Sequence, residues 1–268
     1  MPYPPIIDAL YPIPRVGTAQ QQISDCIPLD QDLGPKMSSE GIAGAVVAPC
    51  NCSLCQHQWN CADRRTHEVR GTVARSPKRL RGLASYDQLR IGDSLRWIDN
   101  AVSEGKLAGA YAQAECCVSG LDSARMYPLY GLCAKLRSPM VIEVANHNGW
   151  MHHRPKVEVM AADFPELDIV LAPPERMDWA SVLRLMERFP RISFLLSPEK
   201  LQEDSTLREY IELKGRERVM FRSGLNGWPA SVEAARQLPL GPAARLAYLS
   251  ENCSRLFGFP PEVMSQEA

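Results

Sequence analysis

The stretch RGLASYDQLRIGDSLRWIDNAVSEGKLAGAYAQAE, residues 81–115, holds the pattern that decides the fold. It opens on a short apolar run at residues 81–86 and enters an amphipathic segment at 92–104. Through Gly105 it returns to a second apolar run at 108–115. Strand, crossover helix and second strand make one unit of a parallel sheet.

Outward from this unit the alternation repeats. Further apolar runs of strand length lie at residues 6–11, 43–50, 140–145, 167–172, 192–197 and 218–223, eight in all with the two above. Helical patterns lie at 64–74, 123–137, 179–189, 206–214, 230–237 and 243–257, and the segment after the fifth strand reads as a loop. Pro139, Pro165 and Pro190 stand ahead of strands, where a missing N–H costs little. Eight strand–helix alternations fit one closed barrel better than an open sheet. The expected fold is α/β, a single (β/α)8 TIM barrel occupying residues 1–268 as one domain, with no linker rich enough in Pro, Gly or Ser to divide it.

Composition agrees with such a domain and excludes several partners. Thirty Lys and Arg against 31 Asp and Glu leave a net charge of -1, so no general positive field exists to neutralise nucleic acid or an anionic membrane surface. At 45% hydrophobic and 23% charged residues the chain can bury a substantial core. No apolar run approaches the roughly 20 residues of a membrane helix, and MPYPPIIDALYPIPR at the amino terminus has no basic leader, so a cytoplasmic protein is expected. Nine cysteines, an odd number irregularly spaced, read as reduced thiols. P-loop, GxGxxG, GxSxG and HExxH motifs are all missing, which removes the commonest nucleotide-binding, serine-hydrolase and zinc-protease readings.

In a barrel of this kind chemistry sits where strands end and the following loops begin. There the residues resemble a known family. Ile6-Ile7-Asp8-Ala9 is similar to its opening strand, residues 41–49 (GIAGAVVAP) to its second and residues 76–86 (SPKRLRGLASY) to the approach to its third. Residues 164–172 (FPELDIVLA) resemble the lead-in to strand six, and residues 252–258 (NCSRLFG) the closing helix. The family is that of the amidohydrolase-related hydrolases and decarboxylases, of which aminocarboxymuconate-semialdehyde decarboxylase is typical.

The resemblance implies a divalent metal at the barrel mouth, held by a His-x-His on strand one, a His on strand five and an Asp on strand eight, with a further His ending strand six. This chain departs at every such position: Leu10 and Pro12 stand for the first pair, Glu143 for the strand-five His, Pro173 for the strand-six His and Gly224 for the Asp. Tyr111 occupies a place where some relatives carry a Lys. One carboxylate is not a metal site, so no cofactor is expected there. Glu143 and Arg222 share inward strand parity, and an ion pair between them is the expected substitute for the lost dication. His147, His152 and His153 read either as solvated loop residues or as a relocated metal or acid/base set.

A second feature follows strand two, where Cys50, Cys52, Cys55, His57 and Cys61 fall within twelve residues. Thiolates and imidazole are good zinc ligands, so a local zinc site is the alternative to a loop of reduced cysteines, although a second CxxC at zinc-ribbon distance is missing. Trp59, Trp150 and Trp228 lie in strand-to-helix loops and either line an apolar pocket or cap the barrel.

The replaced ligands lead to a first functional expectation, a non-catalytic barrel serving as a binding or partner subunit. The alternative is a hydrolase or carbon–carbon lyase of decarboxylase type acting on a small carboxylated or lactone substrate, either metal-independent or using a relocated Cys/His metal site. Candidate catalytic residues are Glu143, Arg222, Tyr111 and His147. A small molecule at the mouth, a protein partner or a second copy of the chain are the expected partners; nucleic acid and membrane are not.

Overall fold

The computed structural model describes residues 3–12, 33–49, 61–114, 117, 120–144, 147–174, 178–223 and 227–265, without the side chains of residues 12, 61–64 and 147–149. Eight strands, β1 (Ile7–Pro12), β2 (Gly44–Ala48), β3 (Leu80–Ser85), β4 (Gly109–Gln113), β5 (Met140–Glu143), β6 (Ile169–Ala172), β7 (Ile192–Leu196) and β8 (Val219–Phe221), form one sheet in sequence order. Every ladder is parallel, as helical crossovers require. The expected (β/α)8 barrel is the fold.

Alternate strand residues face inward. Val46, Leu83, Tyr111, Val141, Val170, Leu195 and Met220 form an inner cluster with residues of β1, while Ala84, Ala110, Ile142, Leu171, Phe194 and Phe221 belong to the outer layer packed under helices. The β1–β2 register slips between Asp8 and Tyr11, and this irregularity lets both Ala9 and Leu10 join the inner cluster. Cys253, Phe257 and Phe259 pack into the same cluster, and the Arg81 guanidinium lies over the Phe259 ring while donating to Gly258 O.

The helices α1 (Leu33–Ser39), α2 (Cys61–Arg75), α3 (Ile91–Ser103), α4 (Tyr127–Leu136), α5 (His147–Asp163) and α6 (Trp179–Arg188) follow β1 to β6 in turn. After β7 come α7 (Pro198–Glu203) and α8 (Ser205–Tyr210), the latter running into a π turn at Ile211–Gly215. After β8 come α9 (Gly227–Arg236), α10 (Pro242–Leu246), a second π turn at Ala247–Glu251, α11 (Asn252–Phe257) and α12 (Pro261–Met264). In α3 the buried positions Ser94, Ile98 and Ala101 recur at helical spacing, and Gly105 at φ +69° ends the segment.

The longest departure from the sequence reading follows β5, while the short helices α1, α7 and α12 also lie where no helical pattern is expected. Residues 147–163 are the helix α5, not a loop. Gly149 and Pro155 act locally as breakers, and apolar residues fall on both faces, with Trp150, Val157 and Met160 buried but Met151 and Val159 exposed. The polarity pattern is therefore blurred, and burial of Trp150, Val157 and Met160 in the core supplies what it lacks.

At Gly109 the strands approach so closely that an added Cβ would clash with the Pro139 carbonyl oxygen. Because that neighbour is backbone, Gly109→Ala should separate β4 from the chain entering β5 and lower stability by about 1–3 kcal/mol. Urea unfolding checks this; an unchanged midpoint would show that the strands part freely.

Candidate active site at the barrel mouth

The inward positions at the strand ends mix small and functional side chains: Ala48, Ser85, Gln113, Glu143 and Ala172, then Ser197 and Arg222 just beyond β7 and β8. Below them the inner apolar cluster forms a floor, and Tyr111 belongs to it, only 3% exposed. Tyr111 pairs with Val141, one layer beneath Glu143, and its hydroxyl reaches up to donate to Glu143 Oε2. Glu143 itself is partly exposed, so a carboxylate oriented by a buried phenol faces the mouth.

Arg222 does not complete the expected ion pair. Its Nη2 donates instead to Pro173 O at 3.1 Å, and its Nε is buried with no acceptor among the described residues. Parity aims both charged groups inward as expected, but β6 and β7 stand between β5 and β8. Glu143 finds the phenol on its neighbouring strand first, and the guanidinium stops at the end of β6.

Asp8, in the sequence only part of a strand motif, carries more hydrogen bonds than any other carboxylate among the described residues. It is fully buried and accepts four hydrogen bonds: Leu10 N and Ser223 N at 3.2 Å on Oδ1, Ser223 Oγ and Trp228 Nε1 at 2.6 Å on Oδ2. Burial pushes its pKa up while these donors pull it back. No backbone ladder joins β8 to β1 among the described residues, and the Asp8 carboxylate bridges that seam. Trp228, so anchored, stacks on Tyr11 with ring centroids 4.3 Å apart, and Lys36 Nζ lies 5.2 Å from the Trp228 ring centroid. A lone Asp between Ile7 and Ala9 in an apolar run was the available signal, because a buried charge requires donors.

The remaining sequence candidates are dispersed. His147 opens α5 with its side chain outside the described residues. His152 is exposed, with Nε2 2.9 Å from Lys156 Nζ, and His153 is buried. Trp150 and Trp228 are core residues, 1% and 2% exposed, which favours the capping reading for both. Cys50, Cys52, Cys55, His57 and Trp59 lie outside the described residues, and Cys61 begins α2.

The metal implied by the resemblance is tested by donor chemistry. Leu10 and Pro173 offer no ligating side chain, the Asp8 oxygens are engaged by four donors on the outer side of β1, and Glu143 is the carboxylate that remains. The Pro12 side chain and Gly224 lie outside the described residues. Among the described residues no group of three or more His, Cys, Asp or Glu side chains could hold one ion, so these residues do not fit a dication at the mouth. Nor is any helix among them long and apolar enough to cross a membrane.

Solved structures with the same architecture include 5-carboxyvanillate decarboxylase LigW from Sphingomonas paucimobilis, at TM-score 0.73 and 14% identity, covering 96% of this chain and 99% of that one. The 2,6-dihydroxybenzoate decarboxylase from Rhizobium gives TM-score 0.71 and 14% identity with 96% and 99% coverage. A dihydroxybenzoic acid decarboxylase from Polaromonas, solved with bound manganese and the inhibitor 2-nitroresorcinol, gives TM-score 0.66 and 13% identity with 99% and 100% coverage. At such identities the likeness is one of fold. No curated protein matches the sequence significantly. The sequence model of the family described as Amidohydrolase matches residues 31–259, nearly the whole barrel, and the chain therefore belongs to the amidohydrolase family.

Proposed function

We propose that the barrel mouth is the active site of a carbon–carbon lyase of the decarboxylase kind, acting on a small carboxylated substrate with Glu143 as its acid/base group. The observation that carries this reading is the Tyr111 hydroxyl donating to Glu143 at an inward-facing, partly exposed position. A protein that only bound a partner would have no need of a carboxylate held in one orientation at the centre of its barrel. The likeness in fold to three decarboxylases favours the same reading over the non-catalytic subunit.

Decarboxylation breaks the bond between the carboxylate carbon and its neighbour, releases CO2 and leaves an electron pair on that neighbour. Glu143 passes a proton taken up from solvent to this carbon, so that RCO2⁻ and H⁺ become RH and CO2. Tyr111 fixes the carboxyl rotamer, and the apolar floor excludes water from beneath the reacting carbon. The described residues do not fit a metal, and Glu143 supplies the proton.

The test is CO2 release from a panel of aromatic and unsaturated monocarboxylates in D2O. The expected result is turnover that survives dialysis against EDTA, with one deuterium on the carbon that carried the carboxylate. Loss of turnover on chelation would move the chemistry to a metal held elsewhere, the Cys50 to Cys61 segment being the first place to look. Failure of the whole panel would overturn the lyase reading.

A further inference from the structure

We propose that Arg222 is the anion anchor of the mouth, binding the carboxylate of the ligand in the place of the family's dication. This rests on reading the mouth as a site for small carboxylates. Of the inward positions at the described strand ends, Glu143 and Arg222 carry the charges, and neither is neutralised by the other. Glu143 has a neutral phenol as its partner and Arg222 a neutral carbonyl.

The guanidinium is held in place yet underused. Pro173 O takes one of the two N–H groups of Nη2, while Nε, which shares an edge of the fork with Nη2, has no acceptor among the described residues. A buried donor without an acceptor destabilises the protein alone, and an incoming oxygen removes that cost. A carboxylate is the matching ligand because its two oxygens fit the planar fork, with charge-assisted bonds stronger than neutral ones. Ala172, inward on β6 beside Pro173, brings only a methyl group to this side of the mouth. A carboxylate seated there points the rest of the molecule across the apolar floor toward β5, where Glu143 and Tyr111 stand.

The experiment compares benzoate with its neutral isostere benzamide by calorimetric titration, with no turnover required. Wild-type protein should prefer benzoate by about ten-fold or more, the factor one charge-assisted pair supplies. Arg222→Gln should bring the ratio close to one, and Arg222→Lys should keep part of it, because the lysine retains the charge and loses the fork. Equal affinities for the two probes in wild type, or an unchanged preference in Arg222→Gln, would overturn the proposal; the first outcome needs no variant to fold. An Arg222-dependent preference for benzoate without CO2 release from any panel acid would retain the anchor and reject the lyase. CO2 release by Arg222→Gln at an unaltered KM would do the reverse.

Discussion

Asp8→Ala should cost about 3–5 kcal/mol of folding stability, more than any other substitution considered for this barrel. The side chain is fully buried, and its removal strands four donors at once. Trp228 Nε1 and Ser223 Oγ are the costlier losses, since both lie 2.6 Å from Oδ2 and the indole is 2% exposed. Each unsatisfied buried donor carries a penalty of roughly 1–3 kcal/mol, partly relieved where relaxation or water reaches it. The loss would fall at the seam between β8 and β1, a place the sheet's own ladders leave unsealed among the described residues. Asp8→Asn keeps one acceptor and turns an amide toward donors, so an intermediate cost is expected. Chemical denaturation followed by tryptophan fluorescence reads both the midpoint and the Trp228 environment. A loss below about 1 kcal/mol for Asp8→Ala would mean that the seam is held by other contacts.

Glu143→Gln should lower turnover by about 10²- to 10⁴-fold while leaving substrate affinity nearly unchanged, the range a single acid/base group contributes. Glutamine preserves the shape, and its amide oxygen still accepts from the Tyr111 hydroxyl, so the side chain stays in place. What it cannot do is carry a proton to the carbon that loses CO2. Tyr111→Phe separates the two contributions: it leaves the proton carrier present but unoriented, and a smaller fall in kcat is expected with the deuterium label still incorporated. Single-turnover measurement with the best panel acid checks both variants. A fall of less than about ten-fold in Glu143→Gln would remove Glu143 from the proton-transfer step.

Much of the fold was legible because it is encoded at short range. The apolar runs of β3 and β4 and the helical spacing of α3 each depend on residues within a few positions of one another, and eight such units leave few topologies open. Strand parity is equally local, which is why the inward direction of Glu143 and Arg222 could be read from residue order. Helix α5 was hidden because Pro155 and a two-faced apolar pattern contradict the local rules, and its helical state comes from burying Trp150, Val157 and Met160 against the barrel.

The partners of the charged groups were decided by closure of the barrel alone. Glu143 meets the phenol of Tyr111, 32 residues away, because their strands are adjacent and the phenol reaches one layer up. Arg222 meets the carbonyl of Pro173, 49 residues away, because two strands separate it from Glu143. Asp8 meets Ser223 and Trp228, 215 and 220 residues away, only because the first strand comes to lie beside the last. A side chain's direction follows from a period of two along its own strand; its partner depends on which other strand stands within a few ångströms, and that distance exists only after the chain has folded.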